Sequence, residues 1–371
     1  MKQGWEIKKL GEVCEIQGGS TPKRTESSFW DNGTYPWFTI EDIREQGHII
    51  SDTKQKITKI AWDKMRIFPK DTILLCCTAS LGEYAITQIP LSSNQQFNGL
   101  TIKDKNYLSP MYLMHYCSTL KNTLLSLSGK ATIDFVSAEK VKQIPIPVPS
   151  REEQDRIVEE LDCLRGVIEK KREQLKELDA LAQSIFYQMF GDPIINEKGW
   201  EVKKLGEVAS EIFAGGDKPK DFSDIQTDEY LYPIYANGEG DRGLLGYSKT
   251  YRVESKAVAL GARGASIGNC RICEGKFTPV VRLITIIPSN KIDIIYLFYS
   301  IRTMSFNISG AGQAQLTTPN VINKIITIPP LALQQEFADK IEAIEKQKEL
   351  IKQSIAETEE LFNSRMEYYF N

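Results

Sequence analysis

The sequence has few of the residues that catalytic and metal sites usually require. It contains only two histidines in 371 residues, His48 and His115, and we interpret both as structural. Its seven cysteines are odd in number and lack the spacing of a disulfide framework, which indicates reduced thiols. The lone Cys270-x-x-Cys273 motif lacks the second ligand pair of a structural zinc site. We therefore predict no catalytic, cofactor-binding or metal-binding residues.

Long apolar runs are also missing. No stretch reaches the length of about 18 apolar residues that a membrane-spanning helix needs, so no membrane association is expected. Residues 1–20 lack the apolar region of a secretory signal. These two absences predict a cytoplasmic protein.

The net charge of −3 is unevenly distributed along the chain. Residues 1–150 carry 18 Lys and Arg against 15 Asp and Glu, and residues 192–330 carry 16 against 15. Residues 151–191 carry 7 against 10, and residues 331–371 carry 5 against 9. This distribution fits DNA binding by the basic segments and protein binding by the acidic ones, but ordinary domains with solvated helix faces explain it equally well.

A ten-residue stretch occurs twice. Residues 4–13 read Gly-Trp-Glu-Ile-Lys-Lys-Leu-Gly-Glu-Val, and residues 199–208 differ from them only by Val202 in place of Ile7. The period of 195 residues is far too long for a solenoid, so each copy is expected to begin a whole domain.

A second repeat predicts two long helices of equal length. Apolar residues recur at alternating steps of four and three from Ile157 to Met189, and the same pattern returns 180 residues later from Phe337 to Tyr369. Such a heptad seam is typical of helices that pack on each other. Three polar residues interrupt the second seam, and we expect them to face a partner instead of the first helix: Lys348, Thr358 and Arg365.

These repeats predict an α+β (mixed α/β) chain in which domain, helix, domain and helix follow one another. The predicted segments are residues 1–149, 150–191, 192–329 and 330–371. Ser150 with Glu153 forms a capping box at the start of the first helix, and Gly191 suits its end. Because the repeat offset shrinks from 195 to 180, the second globular domain should be about 15 residues shorter.

Glycine-rich and amide-rich loops supply the candidate binding residues. Residues 17–24 combine glycines with Lys23 and Arg24, a composition that allows close approach to a phosphate backbone. Residues 92–99 are dense in Asn and Gln, whose amides can pair with adenine edges. A surface loop is the alternative interpretation of residues 17–24, and a tight turn is that of residues 92–99.

In the second domain, residues 213–220 take the place of residues 17–24. Residues 261–268 follow a strand predicted at residues 257–260, and they match the turn at residues 78–82 that follows the buried strand predicted at residues 71–77. Residues 310–318 match the loop at residues 126–132.

In the order of its motifs, the whole chain resembles the specificity (S) subunit of a type I restriction–modification system. The resemblance rests on the two openings at residues 4–13 and 199–208 and on Gln154 and Gln334 near the helix starts. It also rests on the stretches at residues 18–22, 94–98, 183–193 and 264–268.

The resemblance implies two target-recognition domains, each reading one half of a split, asymmetric DNA sequence. It implies that the two long helices pack as an antiparallel coiled coil and dock two methyltransferase (M) subunits, which restriction (R) subunits then join. The chain itself would be a non-catalytic recognition subunit. S-adenosylmethionine, ATP and Mg are expected on the partner subunits. Two alternatives remain: a recognition subunit of a related fused or reduced restriction enzyme, and a coiled-coil scaffold that does not bind DNA.

Loop position and hydrogen-bonding chemistry identify the residues that we predict to contact double-stranded DNA. They are Lys23, Arg24, Gln95, Gln96, Asn98 and Lys130 in the first domain, and Lys218, Lys220, Asn237, Arg263, Gln313 and Gln315 in the second.

Overall fold

A computed structural model describes residues 4–128, 135–238, 243–306 and 315–370. The chain divides into two compact units, Met1–Lys170 with Ser354–Asn371 and Lys171–Gln353. Each unit therefore holds one globular domain and half of each long helix. The use of the four predicted segments as separate functional domains stays a prediction.

Over the residues that the structure describes, the first unit contains ten strands, six short α-helices, the first long helix as far as Lys170 and the second long helix from Ser354 onward. In chain order, the elements as far as the first long helix are β1 (Glu6–Lys9), α1 (Leu10–Val13), β2 (Cys14–Gly18), β3 (Tyr35–Phe38), α2 (Ile40–Gln46), β4 (Ile49–Ile50), β5 (Gln55–Ile57), α3 (Lys59–Trp62), β6 (Ile73–Cys76), β7 (Tyr84–Thr87), β8 (Ser92–Ser93), β9 (Phe97–Ile102), α4 (Pro110–Ser118), α5 (Lys121–Leu127), α6 (Ala138–Lys142), β10 (Pro145–Val148) and α7 (Arg151–Phe190).

The strands of the first unit form three sheets. The largest has the order β2-β9-β6-β7-β4, a second has the order β5-β3-β8, and β1 pairs with β10. All four residues of β6 are buried, which confirms the buried strand predicted at residues 71–77. The turn after it leads into β7, also as predicted.

The second unit repeats this frame. Its elements are β11 (Glu201–Lys204), α8 (Leu205–Val208), β12 (Ala209–Ala214), β13 (Tyr232–Tyr235), β14 (Leu244–Ser248), β15 (Ala257–Leu260), β16 (Cys270–Cys273), β17 (Thr278–Pro279), β18 (Ile284–Pro288), α9 (Ile294–Thr303), α10 (Thr318–Ile322), β19 (Ile325–Ile328) and α11 (Leu331–Phe370). The sheet β12-β18-β15-β16 corresponds to β2-β9-β6-β7, the sheet β14-β13-β17 corresponds to β5-β3-β8, and β11-β19 corresponds to β1-β10. The turn between β15 and β16 matches that between β6 and β7, as predicted.

The two long helices are 40 residues each, and their predicted ends are close to the observed ones. Ser150 Oγ accepts a hydrogen bond from the Glu153 N–H at 3.3 Å at the start of α7. Gly191 follows the last residue of α7 at φ 76°, the left-handed conformation that favours glycine at a helix end. Leu331 is the first residue of α11, so Pro329 and Pro330 precede that helix instead of occupying its first turn.

In the first unit, the start of α7 packs on the end of α11. Ile157 and Leu161 share a buried cluster with Met366 and Phe370. Arg365 lies on the same seam, where its Nε is 2.7 Å from a carboxylate oxygen of Glu160 on α7. The prediction that Arg365 faces a partner is therefore wrong, because a carboxylate on the facing helix pairs with it.

In the second unit, the end of α7 packs antiparallel on the start of α11. The rings of Phe186 and Phe190 lie 5.7 and 5.2 Å from the ring of Phe337. Lys348 Nζ lies 2.7 Å from an Asp179 oxygen on α7, so the prediction that Lys348 faces a partner is also wrong. The third interruption, Thr358, belongs to the first unit, and its Oγ1 donates to the Ser354 carbonyl one turn earlier on its own helix at 2.6 Å.

Within the part of the chain that the structure describes, no helix combines the length and the apolar character needed to cross a lipid bilayer.

Candidate nucleic-acid interface

The first unit gathers its candidate loops where β2 ends. The Gly19 N–H donates to the Phe97 carbonyl and the Ser20 N–H to the Ser93 carbonyl, both at 2.9 Å. A side chain at position 19 would collide with the backbone of residues 93 and 94, so glycine permits this close approach. We call this region, which comprises residues 18–24, 77–80 and 94–96, the β2 edge.

Two of the predicted amides lie on the β2 edge. Gln95 is exposed, and its side-chain oxygen accepts a hydrogen bond from the Thr21 hydroxyl. Gln96 is half-buried, and its side-chain oxygen accepts from Asn94 Nδ2 at 2.9 Å. Its backbone carbonyl accepts from the Cys77 N–H at 2.8 Å. This bond joins residues 94–97, which we call the amide turn, to the turn between β6 and β7. The structure thus brings together the amide turn and the β6–β7 turn, which lie apart in the sequence.

Arg24 is exposed but oriented by aromatic rings. Its guanidinium carbon lies 3.9 Å from the ring centroid of Trp30 and 4.6 Å from that of Trp37. Its Nη1 donates to Gln55 Oε1 at 2.9 Å. Lys23 beside it is exposed, and its carbonyl accepts from Trp30 Nε1 at 3.1 Å. The rings of Trp30 and Trp37 therefore orient a cationic side chain.

Asn98 differs from the other predicted residues of the first unit because it is buried, with 7% of its surface exposed. It lies in β9 opposite Gly18, where its amide acts to lower the pKa of the Cys77 thiol. Burial nevertheless raises the pKa of Cys77 to about 11. Lys130, the remaining candidate, lies outside the residues that the structure describes.

The second unit has a matching region, the β12 edge, which comprises residues 215–220, 236–238, 261–264 and 280–283. The Gly215 N–H donates to the Leu283 carbonyl, and the Val281 N–H donates to the Gly216 carbonyl, both at 2.8 Å. As at Gly19, a side chain on Gly215 would collide with the neighbouring backbone, here that of residues 279 and 280.

Asn237 holds the loops of the β12 edge together. Its Nδ2 donates to the Val281 carbonyl at 2.5 Å, and its Oδ1 accepts from the Ala262 N–H at 2.7 Å. Both ends of the amide are thus engaged with backbone, which is the geometry of a positioning residue.

Arg263 and Gln315, two predicted residues, are brought side by side. They form an isolated antiparallel bridge, and the next N–H, that of Leu316, donates to the Ala262 carbonyl at 2.9 Å. The first unit contains the same bridge between Thr78 and Phe135. Arg263 is exposed and Gln315 is half-buried. Gln313 lies outside the described residues.

The two lysines after the Gly215-Gly216 pair differ in their surroundings. Lys218 is half-buried, with its Nζ 3.2 Å from the ring centroid of Phe222. Lys220 is exposed. Both follow a glycine turn on the β12 edge, as Lys23 and Arg24 follow one on the β2 edge.

The turn at Val281 and Arg282 was not predicted from the sequence as a candidate binding site. Both residues are exposed and have positive φ, 52° and 63°, which is rare for non-glycine residues and rarer for a β-branched one. Such strained backbone is concentrated at functional sites. The turn has no glycine, amide cluster or repeat in the sequence, so only the tertiary structure reveals it.

Topology shows that this turn is the counterpart of the amide turn in the first unit. The Asn94 N–H donates to the Phe38 carbonyl of β3 at 3.2 Å, and the Val280 N–H donates to the Tyr235 carbonyl of β13 at 2.8 Å. Each turn follows a short strand that pairs in parallel with β3 or β13, and each leads into a central strand. Residues 94–97 therefore correspond to residues 280–283, although the two stretches share no residue.

His115 and the CxxC cysteines have structural surroundings. His115 is fully buried, and its Nε2 lies 2.9 Å from Asp162 Oδ1. Cys270 and Cys273 are three residues apart in β16, so their side chains point to opposite faces of the sheet. They pack against different apolar clusters, and this geometry does not suit joint ligation of a metal.

Comparison with known proteins identifies the family of this duplicated frame. The family model of the type I restriction modification DNA specificity domain matches residues 2–180 and again residues 197–360. The chain belongs to this family of DNA specificity proteins. It is accordingly a specificity subunit that recognises DNA for a type I restriction–modification system.

Several specificity subunits are similar to this one over most of their length. The type I restriction enzyme MjaIX specificity subunit of Methanocaldococcus jannaschii is 29% identical over 377 residues, which cover 92% of this chain and 86% of that protein. The type I restriction enzyme EcoprrI specificity subunit of Escherichia coli is 29% identical over 322 residues, which cover 82% of this chain and 78% of that protein.

Solved structures have the same fold. The S subunit of a type I restriction–modification system from M. genitalium superimposes with a TM-score of 0.59 at 14% identity, over 100% of this chain and 98% of that one. A chain from a structure that describes complex assembly and conformational transition of the type I R-M system superimposes with a TM-score of 0.65 at 19% identity. The match covers 100% of this chain and 98% of that one.

Proposed function

We propose that this specificity subunit reads a split, asymmetric DNA sequence, with one half contacted by the β2 edge and the other by the β12 edge. The main support for the proposal is that the two edges share one frame but present different side chains. Both are built on the same frame, with a glycine turn, a strand-to-strand turn and a bridge at corresponding places. Their side chains differ, since Gln95 and Gln96 occupy the positions that Val281 and Arg282 occupy in the other unit. Two different readers in one chain favour two different half-sites.

The side chains of both edges suit DNA. Exposed cations on both edges, among them Arg24, Lys220 and Arg263, can contact phosphates, and the exposed amide of Gln95 on the β2 edge can pair with a base edge. Arg24 is stacked on Trp30, so its guanidinium is oriented before DNA arrives, and less freedom is lost on binding. Because the target is cellular DNA, we infer that the protein acts in the cytoplasm.

We further propose that the chain itself performs no catalysis. In this proposal, methyl transfer from S-adenosylmethionine and Mg-dependent ATP hydrolysis belong to partner subunits. Two M subunits would dock through the long helices, because each unit presents the same frame once. One exposed apolar side chain of α11 in each unit supports the docking: Leu350 is 68% exposed and Leu361 is 47% exposed. Native mass spectrometry of the purified complex tests the ratio of two M subunits to one specificity subunit.

The adenine methylation pattern of a host that expresses this chain with its M partner tests the two-reader proposal. We expect a bipartite motif with two different halves. The double variant Gln95→Ala, Gln96→Ala should relax one half and leave the other intact. Substitutions are preferable to a deletion of residues 192–330, which would expose Phe186 and Phe190 at the end of α7. A palindromic motif, or a purified complex without salt-dependent affinity for duplex DNA, would contradict the proposal.

A further inference from the structure

We propose that Arg282 is a specificity-determining residue that reads a guanine in the half-site contacted by the second unit. This inference rests on the proposed function and assigns a base-reading role within it. It follows from the position of Arg282, the backbone around it and the chemistry of its neighbour.

The position of Arg282 is that of a reader. The turn of residues 280–283 occupies the same place in the frame as residues 94–97, so Arg282 corresponds to Gln96. Asn94 and Val280 bond to the corresponding strands β3 and β13, and the Phe97 and Leu283 carbonyls accept from the corresponding glycines Gly19 and Gly215. The two stretches therefore align residue for residue before the chain continues into β9 and β18. The second unit thus carries a guanidinium where the first carries an amide, and these are the groups that favour guanine and adenine respectively.

The backbone of the turn is held in an uncommon conformation. Val281 and Arg282 both have positive φ, and three hydrogen bonds hold them there. The Val281 N–H donates to the Gly216 carbonyl at 2.8 Å, and the Arg282 N–H donates to the Gly215 carbonyl at 3.2 Å. Asn237 Nδ2 donates to the Val281 carbonyl at 2.5 Å. The frame therefore presents these two side chains at the surface in a fixed direction.

The Arg282 side chain is available to a ligand. It is exposed, and among the residues that the structure describes it forms no ion pair, hydrogen bond or ring contact through its guanidinium. Two other arginines of this unit are engaged: Arg271 Nη2 donates to the Ala236 carbonyl at 3.0 Å, and Arg252 lies 4.1 Å from the ring centroid of Phe213.

The neighbour of Arg282 favours a base edge over a phosphate. Val281 is 40% exposed and places an apolar, branched side chain next to the guanidinium. Apolar side chains contact the thymine methyl group in the major groove, whereas the phosphate backbone offers them only charged oxygens. Arginine and an apolar residue side by side therefore match a guanine next to an A·T pair.

Methylation mapping of four variants in the assembled complex tests this assignment. Arg282→Ala should relax one base position in one half-motif, with a loss of discrimination at that position of roughly 5- to 150-fold. Arg282→Gln should shift the preferred base there from guanine to adenine, since Gln pairs with adenine. Arg282→Lys keeps the positive charge but cannot form a bidentate hydrogen bond, so its preference for guanine should lie between those of Arg282→Ala and the unaltered chain. Lys291→Ala removes a positive charge beyond the opposite end of β18 and should leave the motif unchanged.

Each result has a defined meaning. An unchanged motif in both Arg282→Ala and Arg282→Gln would overturn the assignment. Equal weakening of every site, with the slope of log affinity against log salt reduced by about 0.9, would identify a phosphate contact and also overturn it. If the alanine variant fails to fold, the glutamine and lysine variants decide the question. Absence of any bipartite motif with the unaltered chain would instead count against the proposed function.

Discussion

The side-chain carbonyl of Gln154 accepts a hydrogen bond from the Ser109 N–H at 2.8 Å, and this bond joins the start of α7 to the start of α4. Gln154 is fully buried, and its Nε2 also donates to the Pro149 and Tyr107 carbonyls, both at 2.9 Å. Gln334 repeats the arrangement in the second unit, accepting from the Asp293 N–H and donating to the Pro329 carbonyl, both at 2.8 Å. One buried amide thus fixes each long helix to the domain that precedes it.

Truncation of either glutamine should destabilise its unit. We expect Gln154→Ala or Gln334→Ala to lower the free energy of unfolding by about 1–3 kcal/mol, because buried backbone groups lose their partners. Gln154→Glu keeps the size of the side chain and its acceptor oxygen but removes the N–H donor. It should therefore destabilise the protein at least as much as Gln154→Ala does. Denaturant unfolding measures both effects. Gln335→Ala, next to Gln334 but exposed, should stay within about 0.5 kcal/mol of the unaltered protein.

The pair of Lys348 and Asp179 should contribute modestly to helix packing. A double-mutant cycle with Lys348→Ala and Asp179→Ala should give a coupling energy of about 0.3–1 kcal/mol, because the carboxylate is largely exposed. Lys348→Met, which restores an apolar seam residue, should be neutral or slightly stabilising. A coupling energy of zero would show that the two charges act independently.

The same pair predicts a loss of stability at high pH. Burial lowers the pKa of Lys348, but hydrogen bonds to Asp179 and Glu345 outweigh it, so the pKa is raised above 10.5. The contribution of the charged lysine is therefore complete below that value and is lost as the pH rises through the folded-state pKa. The difference in unfolding free energy between the unaltered protein and Lys348→Met should change in this range. A pH-independent difference would contradict the prediction.

Arg24 and Trp30 should affect DNA binding in different ways. Arg24→Ala should weaken binding and reduce the slope of log affinity against log salt by about 0.9, as expected for one lost phosphate contact. Trp30→Ala leaves the charge but removes the ring that orients it, so affinity should fall with the slope unchanged. Fluorescence anisotropy of the complex at several salt concentrations separates the two effects. Lys105→Ala, at the opposite end of β9, is the matched control and should change neither quantity.

One thiol should react much faster than the other six. Cys163 is exposed, whereas burial raises the pKa of Cys14 and Cys270 to about 12 and that of Cys77 to about 11. The thiolate is the reactive form, so these groups should be nearly inert at pH 8. Titration of the native protein with a thiol reagent should show one fast equivalent, absent in Cys163→Ser. Two or more fast equivalents would contradict the described burial.

The repeated frame was predictable from the sequence because its signals are local and occur twice. Helices α7 and α11 were evident from heptad periodicity, and residues 73–76 and 257–260 were evident from short apolar runs next to turns. The seam partners were not predictable. Lys348 and Arg365 look like interruptions in sequence, and only the facing helix supplies the carboxylates that accommodate them.

The candidate site was only partly predictable. Glycine and amide composition indicated the loops of Arg24 and Gln95, and the structure brings these loops together. Composition could not distinguish an amide that faces outward from one that is engaged inside, and so Asn98 and Asn237 were predicted on the same grounds as Gln95. Arg282 was missed because nothing in the sequence around it resembles residues 94–97.

The sequence by itself determined the duplication, the two long helices and the family, because these depend on periodicity and residue order along the chain. The tertiary structure alone decided which side chains face outward at the two edges and that the turn of residues 280–283 replaces the amide turn. These properties depend on hydrogen bonds between residues far apart in sequence, such as that from Asn237 to Val281, and a local pattern does not contain them.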